Sequence, residues 1–278
     1  MLPFVVRQDT NDTSTDFGPR TDNAQDPGTL ARPTAYLAAM QKAIIIGASS
    51  GIGRSLAAIL VRNGYRVGVT GRRTDLLQSL RMPYPDKVHT LRMDVQDIES
   101  LETACETLAA DMGGVDLVVI SAGIGMHNRA LDFQKELDVI RTNVVGFTCI
   151  ADWAMRRFQT QGHGHLVNIS SIASLRGNGH APSYNATKAY QANYLEGLRL
   201  NADKTRQPIH VTDIRPGFVD TDMAKGQRMF WMATPEKAAS QIAAAIRQQC
   251  RVAYVTRRWT LIAWILKCLP YPLLRRVF

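Results

Sequence analysis

From Lys42 onward, short apolar runs alternate with stretches whose apolar residues recur at helical spacing. KAIII (42–46) is a β-rich run that breaks into a glycine turn. Behind it Ile52, Leu56, Ile59 and Leu60 line one helical face, and Asn63-Gly64 supplies a stop. The pattern predicts further strands over 65–71, 88–93, 115–123, 164–171, 209–217 and 251–255. It predicts helices over 98–112, 137–158 and 184–204. Thr234-Pro235-Glu236 opens another, with a cap, a proline at the first position and an acid in the first turn. Strands apolar along their whole length are buried on both faces. Strands alternating with helices then imply an α/β, doubly wound, mostly parallel sheet in three layers, with no internal repeat and no second domain.

Residues 1–40 lack this period and are rich in Asp, Asn, Thr, Pro and Gly, so a disordered extension is expected there and a folded unit over 41–278. Met40 stands directly before the first strand as a candidate start. A chain of 278 residues, 45% hydrophobic and 21% charged, excludes a collagen-like, disulfide-scaffold or wholly disordered protein. The net charge of +9 suits nucleic acid, an anionic membrane or a phosphorylated cofactor. No base-stacking module accompanies the basic residues, so nucleic acid is not an expected partner. Cys105, Cys149, Cys250 and Cys268 are scattered, as reduced thiols of a cytoplasmic protein would be. No apolar run reaches the length of a membrane span, and MLPFVVRQDT is no secretory signal.

The turn Gly47-Ala48-Ser49-Ser50-Gly51-Ile52-Gly53 joins the first strand to the first helix. Glycines let backbone N–H groups approach a pyrophosphate, and the helix N-terminus carries about half a positive charge toward it. Three glycines could also be punctuation alone, but the strand–turn–helix context favours phosphate. The second predicted strand ends in Gly71-Arg72-Arg73, where an acid would accept from the ribose hydroxyls of NAD. Guanidinium groups there would instead pair a 2′-phosphate, which predicts NADP(H), with NAD(H) less favoured. The alternative is two arginines facing water at a helix start. Tyr184 and Lys188 stand four apart on one helical face. A neighbouring ammonium and an oxidised nicotinamide would both favour phenolate and bring Tyr184 into proton-exchange range. Ser171 ends the fifth predicted strand, where its hydroxyl can hydrogen-bond a substrate oxygen.

Taken together, GASSGIG (47–53), NISS (168–171) and SYNATK (183–188) resemble the motifs of the short-chain dehydrogenase/reductase family, over about residues 42–256. The resemblance implies a Rossmann-type fold and a catalytic set of Asn143, Ser171, Tyr184 and Lys188, with Asn143 holding a water that links Lys188 to solvent. It also implies cofactor contacts from Asp94 and Val95 to adenine, from Ala122 and Gly123, and from Pro216, Gly217, Val219 and Thr221 at the nicotinamide. These join Gly47, Ser49, Ser50, Gly51, Ile52, Gly53, Arg72 and Arg73. The implied activity is hydride transfer between NADP(H) and a carbonyl/alcohol pair by a homodimer or homotetramer. Two positions depart from the pattern: Ile46 replaces a threonine, and Ile120-Ser121 replace a pair of asparagines, which weakens a bond between central strands. The alternatives are a nucleotide-sensing or membrane-peripheral protein without turnover.

Several residues stay outside that pattern. His163 and His165 have no acid or cysteine nearby in sequence, so a turn is expected and no metal. His180 is either a pocket residue or a solvent-facing loop histidine. Met223, Met229, Phe230, Trp231 and Met232 form either ordinary core or an adaptable apolar lid. The tail 257–278 contains no acid and is apolar around its helical circumference. It could pack under the domain, against another subunit, or at a membrane interface between its flanking arginines.

Overall fold

In the computed structural model, residues 41–222 and 230–277 are described, and residues 39–278 form one compact unit. The expected N-terminal extension and lid residues Met223 and Met229 lie outside the described residues.

Seven described strands form one sheet: β1 (Lys42–Ile46), β2 (Arg66–Gly71), β3 (Val88–Arg92), β4 (Leu117–Ile120), β5 (Gly164–Ile169), β6 (Ile209–Pro216) and β7 (Val252–Val255). Their order is β3-β2-β1-β4-β5-β6-β7, and every adjacent pair is parallel. The helices are α1 (Gly51–Arg62), α2 (Thr74–Arg81), α3 (Ile98–Asp111), α4 (Phe133–Ile140), α5 (Phe147–Gln161), α6 (Pro182–Thr205), α7 (Pro235–Arg247), α8 (Trp259–Cys268) and α9 (Tyr271–Val277). The fold is the expected doubly wound one. The strand order reverses between β1 and β4, and a crevice opens there at the carboxyl ends.

The continuous apolar strands are explained by two cores. On β1, Ala43 and Ile45 face one layer with Leu56 and Leu60 of α1 and Ile242 and Ile246 of α7. Ile44 and Ile46 face the other, with Leu101 and Leu108 of α3, Phe147 and Phe158 of α5, and Leu195 of α6. Ile46, the replacement for threonine, is wholly buried in this second layer.

The elements differ from expectation where local packing decides. The short helix α2 buries only Leu77, too little for an apolar period. β4 ends at Ile120 rather than running to 123, because the N–H groups of Ser121 and Ala122 both turn to Ile46 O at 2.8 Å. That pair keeps β1 and β4 joined despite the missing asparagines. The helix expected over 137–158 spans α4, a π-helical turn (Arg141–Gly146) and α5.

His163 does meet an acid: its Nε2 lies 3.4 Å from Asp116 Oδ1, brought from the start of β4. His165 is buried on β5, with Nε2 2.8 Å from Thr212 Oγ1 and its ring edge-on to His210. Burial, helped by His210, pushes its pKa down to about 3. The unfolded chain takes up a proton near the ordinary value of 6.5, and the folded one does not. This contribution to stability is full above that value and is lost progressively as pH falls toward 3. Linkage puts the loss at about 2 kcal/mol by roughly pH 5. Thermal melts of wild type and His165→Asn between neutral and mildly acid pH check this. The variant should show the flatter dependence, and equal slopes would acquit His165.

Beyond β7, α8 turns one face to the domain. Trp259 and Ala263 are buried with Ile172, and Phe218, Tyr254, Ile262 and Leu266 pack around them. Arg176 caps the far end, donating to Leu266 O at 2.7 Å and Lys267 O at 2.6 Å. The opposite face, Leu261, Trp264 and Ile265, is exposed at 59%, 66% and 41%. The tail is therefore only half buried against the domain.

Candidate active site

The turn after β1 is shaped for an anion. Gly47 has φ +87°, and a Cβ there would lie 2.6 Å from Ala122 N. Gly51 has φ +58°, and its Cβ would meet Thr221 Cγ2 at 3.1 Å, so 216–221 lies over the turn. Ser50 caps α1 without a side-chain bond to it, and no acid stands in the first turn. The helix N-terminus therefore has its N–H groups and partial charge available to a phosphate. These features fit a dinucleotide. Ile52 packs on the core, so its part in such a site is its backbone.

Arg73 reaches back onto this turn. Its NH2 donates to Ser50 Oγ at 2.6 Å and to Ser49 Oγ at 3.0 Å, and its NH1 lies 3.4 Å from Asp222 Oδ2. The guanidinium is exposed beside the phosphate turn, whereas Arg72 is exposed next to it. Asp94 Oδ1 accepts from Gln96 N at 3.1 Å, and the Val95 carbonyl lies against Gly146 of the π turn. Val219 is buried and bridges Ala233. Pro216 ends β6; Gly217 N donates to Val255 O at 2.6 Å, and the bare side of Gly217 receives the Trp259 indole.

The reacting groups expected from the sequence come together on the neighbouring side of the crevice. Ser171 caps a 3₁₀ turn (Ile172–Leu175), accepting from Ala173 N at 3.0 Å. It hydrogen-bonds Tyr184 in the first turn of α6. Lys188 sits one turn later, with Nζ 5.9 Å from the Tyr184 ring centre. Nζ donates to Ile169 O at 3.1 Å and Gln191 Oε1 at 3.0 Å. Asn143 lies in the π turn, a backbone irregularity common at functional sites. Its side chain clamps Ile124 N and O at 2.9 and 2.8 Å and Thr187 Oγ1 at 3.1 Å. A Cβ on Gly123 would come within 3.3 Å of both Asn143 Oδ1 and Lys188 Nζ, and one on Gly125 within 2.9 Å of the Tyr184 ring. At Gly125 a side chain would force the Tyr184 ring to shift.

Burial pushes the Tyr184 pKa up, opposed by the Ser171 hydrogen bond. The ammonium expected to favour phenolate is itself weakened: burial pushes Lys188 down to about 8, against the opposing pull of Asp213. Asp213, buried on β6, pairs with Arg215 Nε at 2.6 Å and bonds Ser170.

A second set of polar residues escaped the motifs. Asn128 is buried, donates to Asp132 O at 2.9 Å and bonds Glu136, which accepts from Ser183 N at 3.0 Å. Glu136 thus takes an amide at the start of α6, and those bonds hold its carboxyl below its usual range. His180 pairs with Arg129, and its carbonyl accepts from Asn128 N at 2.8 Å. It ties the two loops that flank Tyr184. On the lid side, Phe230 lies 5.7 Å from Phe218 and 5.3 Å from Trp259, ring centre to ring centre. Trp231 lies under the Arg258 guanidinium.

Comparison with known proteins bears on the family and the fold. A family model described as short chain dehydrogenase matches residues 41–230. An uncharacterized oxidoreductase of Mycobacterium tuberculosis is 33% identical over 246 residues, covering 85% of this chain and 96% of the relative. Among solved structures, a short-chain dehydrogenase from Burkholderia cenocepacia in complex with NADP superposes with a TM-score of 0.75 at 21% identity, covering 86% of this chain and 98% of that one. A short-chain dehydrogenase from Streptomyces avermitilis gives 0.71 at 25% identity, with 86% and 94% covered.

Proposed function

The chain belongs to the short-chain dehydrogenase family and is an oxidoreductase, and from that premise we propose that it moves a hydride between NADP(H) and an apolar carbonyl or alcohol, with Tyr184 exchanging the proton. The observation that carries this is the meeting of Ser171, Tyr184 and Lys188 beside the glycine turn, at the carboxyl edge of the sheet.

The nicotinamide, when bound, supplies or accepts the hydride. Gly47, Ser49, Ser50, Gly51 and Gly53 would hold the pyrophosphate, and Arg72 and Arg73 the 2′-phosphate. Asp94 and Val95 would flank the adenine, with Ala122, Gly123, Pro216, Gly217, Val219 and Thr221 toward the nicotinamide. In reduction, Tyr184 donates its phenolic proton to the carbonyl oxygen. Ser171 orients that oxygen and stabilises its developing charge. Lys188 binds the ribose and supports the phenolate that remains. Asn143 fixes the loop after β4 against α6, so the set is pre-organised.

The test is NADPH consumption by the full chain over a panel of simple ketones, lipid β-oxo compounds and sterols. Turnover of the apolar members is expected. Tight NADPH binding with no turnover across the panel would favour a nucleotide sensor instead.

A second, compatible reading concerns α8. Its exposed Leu261, Trp264 and Ile265 are accompanied by Arg257, Arg258 and Lys267, with no acid in 257–278. No described helix is long and apolar enough to cross a membrane. We infer a peripheral contact with anionic lipid, which would bring apolar substrates to the adjacent crevice. Truncation at Thr256 would also strip away the buried Trp259, so the informative variant replaces Leu261, Trp264 and Ile265 together by Gln. Salt-sensitive flotation with anionic vesicles should fall by at least about 10-fold, given the apolar area lost. Unchanged flotation, or a change of oligomeric size with no flotation by either protein, would overturn the membrane contact.

A further inference from the structure

A buried glutamine side chain joins Lys188 to the π turn. Gln191 lies on α6 one turn beyond Lys188 and is wholly buried. Its Oε1 accepts from Lys188 Nζ at 3.0 Å and from Asn168 Nδ2 at 3.2 Å. Its Nε2 donates to the Asn143 carbonyl at 2.8 Å. The chemistry fixes which way round the amide sits. A carbonyl can only accept, so it must face the NH₂ group; an ammonium can only donate, so it must face the oxygen. Asn168, Lys188 and Asn143 are themselves buried, which leaves none of these bonds exchangeable with solvent at little cost.

We propose that Gln191 is a positioning residue that fixes Lys188 to the π turn. This rests on the reading of Ser171, Tyr184 and Lys188 as the reacting set.

Packing and hydrogen bonding make opposite forecasts for two substitutions. Gln191→Met keeps the bulk and removes both polar ends. Gln191→Ala removes the bulk and leaves a space bounded by three polar groups, on Lys188, Asn143 and Asn168, which suits a water. A residue that only fills space is better replaced by Met; one that acts through its hydrogen bonds is better replaced by Ala, where a water can take them up. Isotope-labelled lysine in the full chain reports Lys188 directly by NMR, with Lys188→Arg assigning the signal. The charged and titratable groups about it are Asp213 on β6 and Tyr184 on α6 itself.

In Gln191→Met the Lys188 midpoint should move down by about one pH unit or more, the scale of a lost acceptor to a charged donor. In Gln191→Ala it should stay near wild type. Where turnover is measured, kcat should follow the same order, Ala above Met, with KM little changed. If the methionine chain prevents folding, Gln191→Leu takes its role. An unmoved midpoint in the apolar variant, or Ala shifted more than Met, would overturn the proposal. Absence of turnover in the wild type would count against the proposed reaction and leave the titration order to decide the role of Gln191.

Discussion

Tyr184→Phe is expected to leave NADPH binding nearly intact and to reduce turnover by at least about 10²-fold, the scale of a lost general acid. The ring keeps its place against the loop at Gly125, so the substitution removes an oxygen and little else. The hydrogen bond from that oxygen to Ser171 disappears with it, and Ser171 retains the Ala173 amide as donor. A separate binding measurement divides the effect. Quenching or calorimetric titration with NADPH should give the wild-type affinity, while the initial rate on the best carbonyl falls. Near wild-type turnover would remove Tyr184 from the chemistry.

Cofactor choice should depend on Arg73. Its guanidinium already lies on Ser49 and Ser50, so a 2′-phosphate would displace hydroxyl partners and the exposed Asp222 contact. A charge-assisted bond is worth about 1.5–3 kcal/mol, so Arg73→Ala should weaken NADPH by roughly 10- to 150-fold and NADH hardly at all. Arg72→Ala should act in the same direction, and less, since Arg73 is the residue that reaches the turn. Equal affinities for NADPH and NADH in the parent protein would refute the assignment.

The sheet and its helices were legible because β1, β4 and β5 are apolar on both faces, and α1 and α7 carry clear caps and stripes. The glycine turn was legible for a related reason: a positive φ at Gly47 and Gly51 admits few other residues. α2 was not, since one buried leucine makes no period. The π turn at Arg141–Gly146 left no trace either, because its side chains remain helix-like in spacing. Among the candidate residues, the sequence located Ser171, Tyr184, Lys188 and Asn143 but not what surrounds them. Gln191 stands three residues after Lys188 and could have been noticed as a same-face polar neighbour. Asn168 and Asp213 arrive from β5 and β6, and no local pattern announces a contact across strands. Four-residue spacing reveals that Tyr184 lies near Lys188, while the burial that raises the phenol pKa belongs to the tertiary fold.

The most direct test of hydride transfer uses NADPH carrying deuterium at its transferable ring position, with an apolar ketone that the full chain consumes. The alcohol product should carry one deuterium on the carbinol carbon, at a rate that drops with Tyr184→Phe. Cofactor consumed without label in the alcohol would contradict the reaction assigned to this site.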